Sequence, residues 1–245
     1  MYDRVRVKAI AKKKVHLNFV GLVSIPFLLW LSNNFVIPAI SGFSFVRMFE
    51  YYYFFEDISY IFDFLFSPFQ ILLGIILSIF VPMFLDYWRI NYEMSVHIND
   101  DRKFYPWDIL EELSLEGLFT YVIKNTAAGI ITFLWSLLLL VPGIMKAYSY
   151  ALVPYIAIEN PELGIMETLK ESQRLMQGNR ITLFVLHISF FFWYMLANLT
   201  FGILYVYITP YVSLSAIGFY YAMKKQHNDD LNIYNAQEPY FDEEL

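Results

Sequence analysis

The side chains best suited to catalysis or ligand binding are sparse and scattered. His16, His97, His187 and His227 fall in four separate segments, and none lies at metal-ligand spacing from another histidine. The absence of cysteine excludes disulfides, thiolate-bound zinc and thiol catalysis. No phosphate-cradling glycine loop, dinucleotide fingerprint or nucleophile elbow occurs. No enzyme activity, cofactor or metal is expected from such a chain. The residue that stands out is Lys146, in "LLLLVPGIMKAYSYALVPYIAIENP" from Leu137 to Pro161. A cation in so apolar a run, just after Pro142-Gly143, either reaches a membrane interface or marks a buried functional site.

The elements around it decide which. The 245 residues are 58% apolar, 20% aromatic and only 16% charged, too little polar surface for a soluble domain of this size. Apolar stretches recur at about 20 residues, the length that spans ~30 Å of hydrocarbon as helix. Six segments are expected: Leu17–Ile40, Pro68–Ile90, Leu118–Val141, Ile144–Ile158, Ile181–Phe201 and Ile203–Met223. The fold class predicted is all-α: a polytopic membrane protein of six transmembrane helices with interfacial amphipathic helices. Residues 1–225 form one membrane domain, and 226–245 form an acidic polar tail expected to be poorly ordered.

Every lysine and arginine except Arg47 and Lys146 falls in the N-terminal arm, the second-to-third connection, the fourth-to-fifth connection or the C-terminus, counting adjoining helix ends. That bias predicts both termini on the cytoplasmic side. Residues 1–16 form a basic cytoplasmic arm. The aromatic stretch 41–67 carries Phe54, Ile58, Ile61, Phe62 and Leu65 at helical spacing, which places a helix in the outer interface as an anchoring belt or a docking surface.

Proline and glycine at Pro142-Gly143 are expected to end the third helix and permit a tight reversal. The next segment, Ile144–Ile158, is only about 22 Å long as helix. The hairpin either crosses, with Lys146 snorkelling to the outer interface beside Tyr148 and Tyr150, or it is re-entrant and holds Lys146 near mid-membrane. Beyond it, Asn160 reads as an N-cap with Pro161 at the first helical position, or else the helix restarts after Gly164. Residues 160–179 form a cytoplasmic amphipathic helix with Ile165, Met166, Leu169, Ser172 and Met176 on one face, stopped by Gly178-Asn179. His187, in the fifth span, reads as a hydrogen-bonding residue facing a neighbouring helix, with proton handling as the alternative. Asp86 and Arg89 read as a helix-surface ion pair, and Lys124 as a headgroup contact.

Val141-Pro142-Gly143, Glu159-Asn160-Pro161 and Met176-Gln177-Gly178 stand at fixed separations and are followed by "LFVLHISFFFW" and "LTFGILYVYITPY". On these motifs the chain from Phe133 to about Phe219 closely resembles the bacterial integral membrane proteins of domain of unknown function 975. Phe192 stands where that family often has glycine. The resemblance implies a six-helix protein of a bacterial cytoplasmic membrane and no assigned activity.

The expected role is therefore a non-enzymatic membrane scaffold or accessory protein. Its partners would be membrane lipids and a protein docking at 160–179 or 41–67, without nucleic acid. The alternative is a transporter or channel for a small anionic solute or lipid, using the Pro-Gly hairpin around Lys146.

Overall fold

A computed structural model describes residues 3–37, 59–99, 105–200 and 203–237, and the described residues form helices without strands. The basic arm is itself a helix, α1 (Arg4–Leu17), started by Asp3, whose carboxylate accepts the amides of Val5 and Arg6 at 2.9 and 3.3 Å. An acceptor there satisfies amides that the first turn leaves open. Asn18 alone separates α1 from α2 (Phe19–Leu31), which contains Pro26 and runs on through a π-helical turn at Ser32–Val36.

The long α3 (Ser59–Ile98) is followed by the short α4 (Pro106–Leu110). The indole of Trp88 donates to the Pro106 carbonyl at 2.8 Å and ties α4 back onto α3. The next helix, α5 (Leu115–Leu138), begins at Ser114, whose hydroxyl accepts the Gly117 amide at 2.9 Å. Two short helices follow, α6 (Leu140–Ser149) and α7 (Val153–Glu159), then α8 (Ile165–Leu175). The chain ends with α9 (Arg180–Ile188), α10 (Phe191–Leu199) and α11 (Tyr205–Gln237).

Among the described residues, four helical stretches are long and apolar enough to cross a bilayer: Phe19–Val36, Leu72–Ile98, Leu115–Leu138 and Arg180–Leu199. The expected fourth segment falls short because it is divided between α6 and α7. The sixth lies in α11, where tyrosines and serines lower the hydropathy. The four stretches bury little of themselves: only 17% of the most apolar window of Leu72–Ile98 is inside the protein. Ile75, Ile79 and Phe80 on α3, Phe133 and Leu134 on α5, and Ile181 and Ile188 on α9 face outward. In water such a surface would drive aggregation, whereas in lipid it is the favourable one.

The core gathers around α11. Leu214, Ile217, Phe219, Tyr220 and Met223 are buried against Ala11 and Val15 of α1, Leu22 and Ile25 of α2, and Ile90, Tyr92 and Met94 of α3. Tyr155 of α7 stacks on Tyr220 with ring centroids 5.8 Å apart. The basic arm is a packed helix, and α11 runs past residue 226 as far as Gln237. Of the aromatic stretch 41–67, residues up to 58 lie outside the described ones, and 59–67 open α3.

Candidate functional site

The chain reverses at Leu139, not at Pro142-Gly143. Leu139 is extended (φ −157°, ψ 140°) between α5 and α6, and Pro142 sits in the first turn of α6. Proline is harmless there because the first helical amides have no intrahelical acceptor to lose. Gly143 has a different task. A Cβ built on it would lie 2.2 Å from the Ser136 hydroxyl oxygen and 2.7 Å from the Ser136 Cα. The missing side chain therefore lets α6 lie directly on α5, as small residues do where membrane helices approach closely.

Lys146 lies in the last turn of α6, partly exposed, with Nζ 5.2 Å from the centre of the Trp135 ring and 5.5 Å from that of Tyr150. Its surroundings are aromatic, and no acid pairs with it among the described residues. Ring faces stabilise an ammonium without removing its access to water. His187 of α9 is half-buried against the Tyr148 ring at 5.8 Å. Tyr148 also meets Phe184 edge-on, so His187 belongs to an α6–α9 aromatic contact.

The return arm then descends along α5. Where α7 ends, Asn160 is a C-cap (φ −130°, ψ 75°), which corrects the N-cap reading. Lys124 is only 2% exposed and donates to the carbonyls of Asn160 at 3.0 Å and Pro161 at 3.1 Å. It holds protein carbonyls, not headgroups. A cation at a helix C-terminus meets the negative end of the helix dipole and its unpaired acceptors.

The helix restarts after Gly164, the second alternative from sequence, with the Gly164 amide donating to Glu167 at 2.8 Å. Thr168, Leu169, Ser172, Leu175 and Met176 are buried, whereas Ile165 and Met166 are exposed, contrary to the face expected from spacing. The Ser172 hydroxyl donates to the Ser149 carbonyl at the end of α6 (2.8 Å), and Gln173 donates to the Tyr150 hydroxyl (3.0 Å). The α8 helix thus plugs the break between α6 and α7. Gly178 has φ +76°, the left-handed stop that its position predicted.

A second cluster escaped the sequence reading. Arg89 is 13% exposed in its side chain and pairs with both Asp86 and the fully buried Glu93, the latter at 2.9 Å. Tyr121 of α5 donates to Asp86 at 2.8 Å, Arg89 donates to the Ser213 hydroxyl of α11 at 3.1 Å, and Ser213 donates to Glu93. The pair read as lying on a helix surface is thus the centre of a network joining α3, α5 and α11, in which Arg89 and Glu93 are buried and Asp86 is partly exposed. The available signal was the three-then-four spacing of Asp86, Arg89 and Glu93, which sets all three on one helix face.

Toward the far end of α11, Lys224 pairs with Glu159 at 2.7 Å and Tyr220 donates to the same carboxylate. Beside them a cleft of about 440 Å³ opens, lined by Asn160, Glu167, Glu171, Arg174 and His227 among others. Among the described residues no group of three or more histidines and carboxylates could hold a metal ion.

Residues 109–227 match the family described as Protein of unknown function (DUF975). The match includes the stretch from Phe133 to Phe219 on which the sequence resemblance rested. No curated protein and no solved structure matches the chain.

Proposed function

We propose that this chain, whose residues 109–227 carry the match to a family of unknown function, is a non-enzymatic scaffold or accessory protein of a bacterial cytoplasmic membrane. Its six apolar segments cross the bilayer, both termini lie in the cytoplasm, and the tip of the α5–α6 hairpin reaches the outer interface. The observation that carries the reading is how the buried charges are used. Lys14 and Lys124 each grip backbone carbonyls at the end of a helix, and Arg89 is consumed by Asp86 and Glu93. Charges spent on holding helices together rigidify a bundle.

The surface such a scaffold presents is α8, fixed through Ser172 and Gln173, with Ile165, Met166 and Lys170 outward beside the cleft at Arg174 and Lys224. The test pairs two measurements. Photo-crosslinkers at Met166 and Lys170 should capture a specific partner in cells. Lys146→Ala in proteoliposomes should leave anion flux at the level of protein-free vesicles and of the unsubstituted chain. A flux that the unsubstituted chain supports and Lys146→Ala abolishes would establish the transporter reading instead.

A further inference from the structure

The six cations of the N-terminal arm divide into two groups once α1 is folded. Lys8 and Lys14 point inward. Lys8 donates to the Ser189 hydroxyl at 2.7 Å with its ammonium 4.0 Å from the centre of the Phe190 ring, and Lys14 donates to the carbonyls of Val96, at 3.1 Å, and His97. Burial, with Arg4 nearby, lowers the Lys8 pKa. Arg4, Arg6, Lys12 and Lys13 remain exposed, and none forms an ion pair with an acid among the described residues. On the same outward side Val5, Ile10 and Leu17 are exposed, Val5 at 72%.

This face is a helical surface of cations, without an acid partner among the described residues, interleaved with bare apolar side chains. Only Asn18 separates α1 from α2, which opens a stretch apolar enough to cross a bilayer. The chain thus runs from this face directly into a helix that can enter a bilayer. A polar partner would leave Val5, Ile10 and Leu17 in water. A zwitterionic surface would leave the cations without counter-charge. A surface of anionic headgroups over acyl chains answers both.

We infer that the outward face of α1, through Arg6, Lys12 and Lys13 with Val5, Ile10 and Leu17, binds the anionic phospholipids of the bilayer in which α2 is embedded. The inference requires that α2 enters a bilayer and that α1 lies at its headgroup level, and it holds for a scaffold and a transporter alike.

The full chain, purified in mixed micelles of equimolar phosphatidylglycerol and phosphatidylcholine, tests this by native mass spectrometry of the retained lipids. The unsubstituted protein should retain phosphatidylglycerol several-fold over phosphatidylcholine. Arg6→Gln/Lys12→Gln/Lys13→Gln should bring the ratio close to one, while the charge-keeping Arg6→Lys/Lys12→Arg/Lys13→Arg retains it. A control with equal charge loss elsewhere, Lys170→Gln/Arg174→Gln/Lys225→Gln, should also retain it. An unchanged ratio in the α1 glutamine variant, or equal losses in that variant and the control, would overturn the inference. Should the triple variant not be purified, Lys12→Gln and Lys13→Gln singly must each lower the ratio, and failure of both to do so overturns it equally.

Discussion

The ammonium of Lys124, on α5, closes the end of α7 by donating to the carbonyls of Asn160 and Pro161, 36 and 37 residues further along the chain. One side chain thereby fixes both the return of the hairpin and the point from which α8 departs. Hydrogen bonds from a charged donor contribute about 1.5–3 kcal/mol each, and buried acceptors are costly to leave open. Lys124→Met should lower the melting temperature in detergent by several degrees and expose the 160–164 connector to protease. Lys124→Arg should recover part of the loss. A Lys124→Met protein that melts with the parent would remove this contact from the account.

Gly143 and Gly129 offer a matched pair in the same hairpin. A Cβ at Gly143 meets the Ser136 backbone, whereas one at Gly129 meets nothing within 4 Å. Gly143→Ala should therefore push α6 off α5, at about 1–3 kcal/mol by the usual cost of overpacking. Gly129→Ala should be neutral or slightly stabilising, because alanine is the better helix former. Melting curves of the two variants side by side decide the matter, and equal behaviour would contradict the close α5–α6 approach.

The network around Arg89 predicts an order of damage. Two carboxylates share one guanidinium, so removing the cation strands the fully buried Glu93 and leaves Asp86 to Tyr121 and solvent, while neutralising Glu93 still leaves the Asp86–Arg89 pair. Breaking a buried ion pair from one side costs about 3–5 kcal/mol. Arg89→Leu should approach that range, with Glu93→Gln well below it. Chemical denaturation in mild detergent reads both, and a reversed order would mean that the network is not held by charge.

Lys146 tests the path of the hairpin. Contacts at Gly143–Ser136 and Asn160–Lys124 show α6 and α7 retracing α5 from residue 136 to 124, about 18 Å of helix axis. With the tip at the outer interface, Lys146→Cys should react with a membrane-impermeant maleimide added to intact cells. Protection from that reagent, together with strong quenching of a label there by lipids brominated at the acyl-chain centre, would make the hairpin re-entrant.

Length, apolarity and local stop signals were legible in the chain because each is a property of residues near one another. Helical segments of about 20 residues, the left-handed stop at Gly178 and the restart after Gly164 all follow from transfer free energy or backbone sterics acting within a few positions. The divided fourth segment was foreshadowed only by its short length. What hydropathy could not encode is the azimuth of a side chain relative to helices far away in sequence. Lys146 attracted attention because it is a cation between two prolines, yet it rests on aromatic rings with no acid partner among the described residues. Lys124, assigned to headgroups, is the buried cation that joins two elements. Asp86 and Arg89, read as a surface pair, became a core when α5 and α11 brought Tyr121 and Ser213 to them. Composition decided that this chain seeks lipid. Which charges turn inward was decided only by packing, since a buried charge persists only where donors or acceptors from another helix meet it.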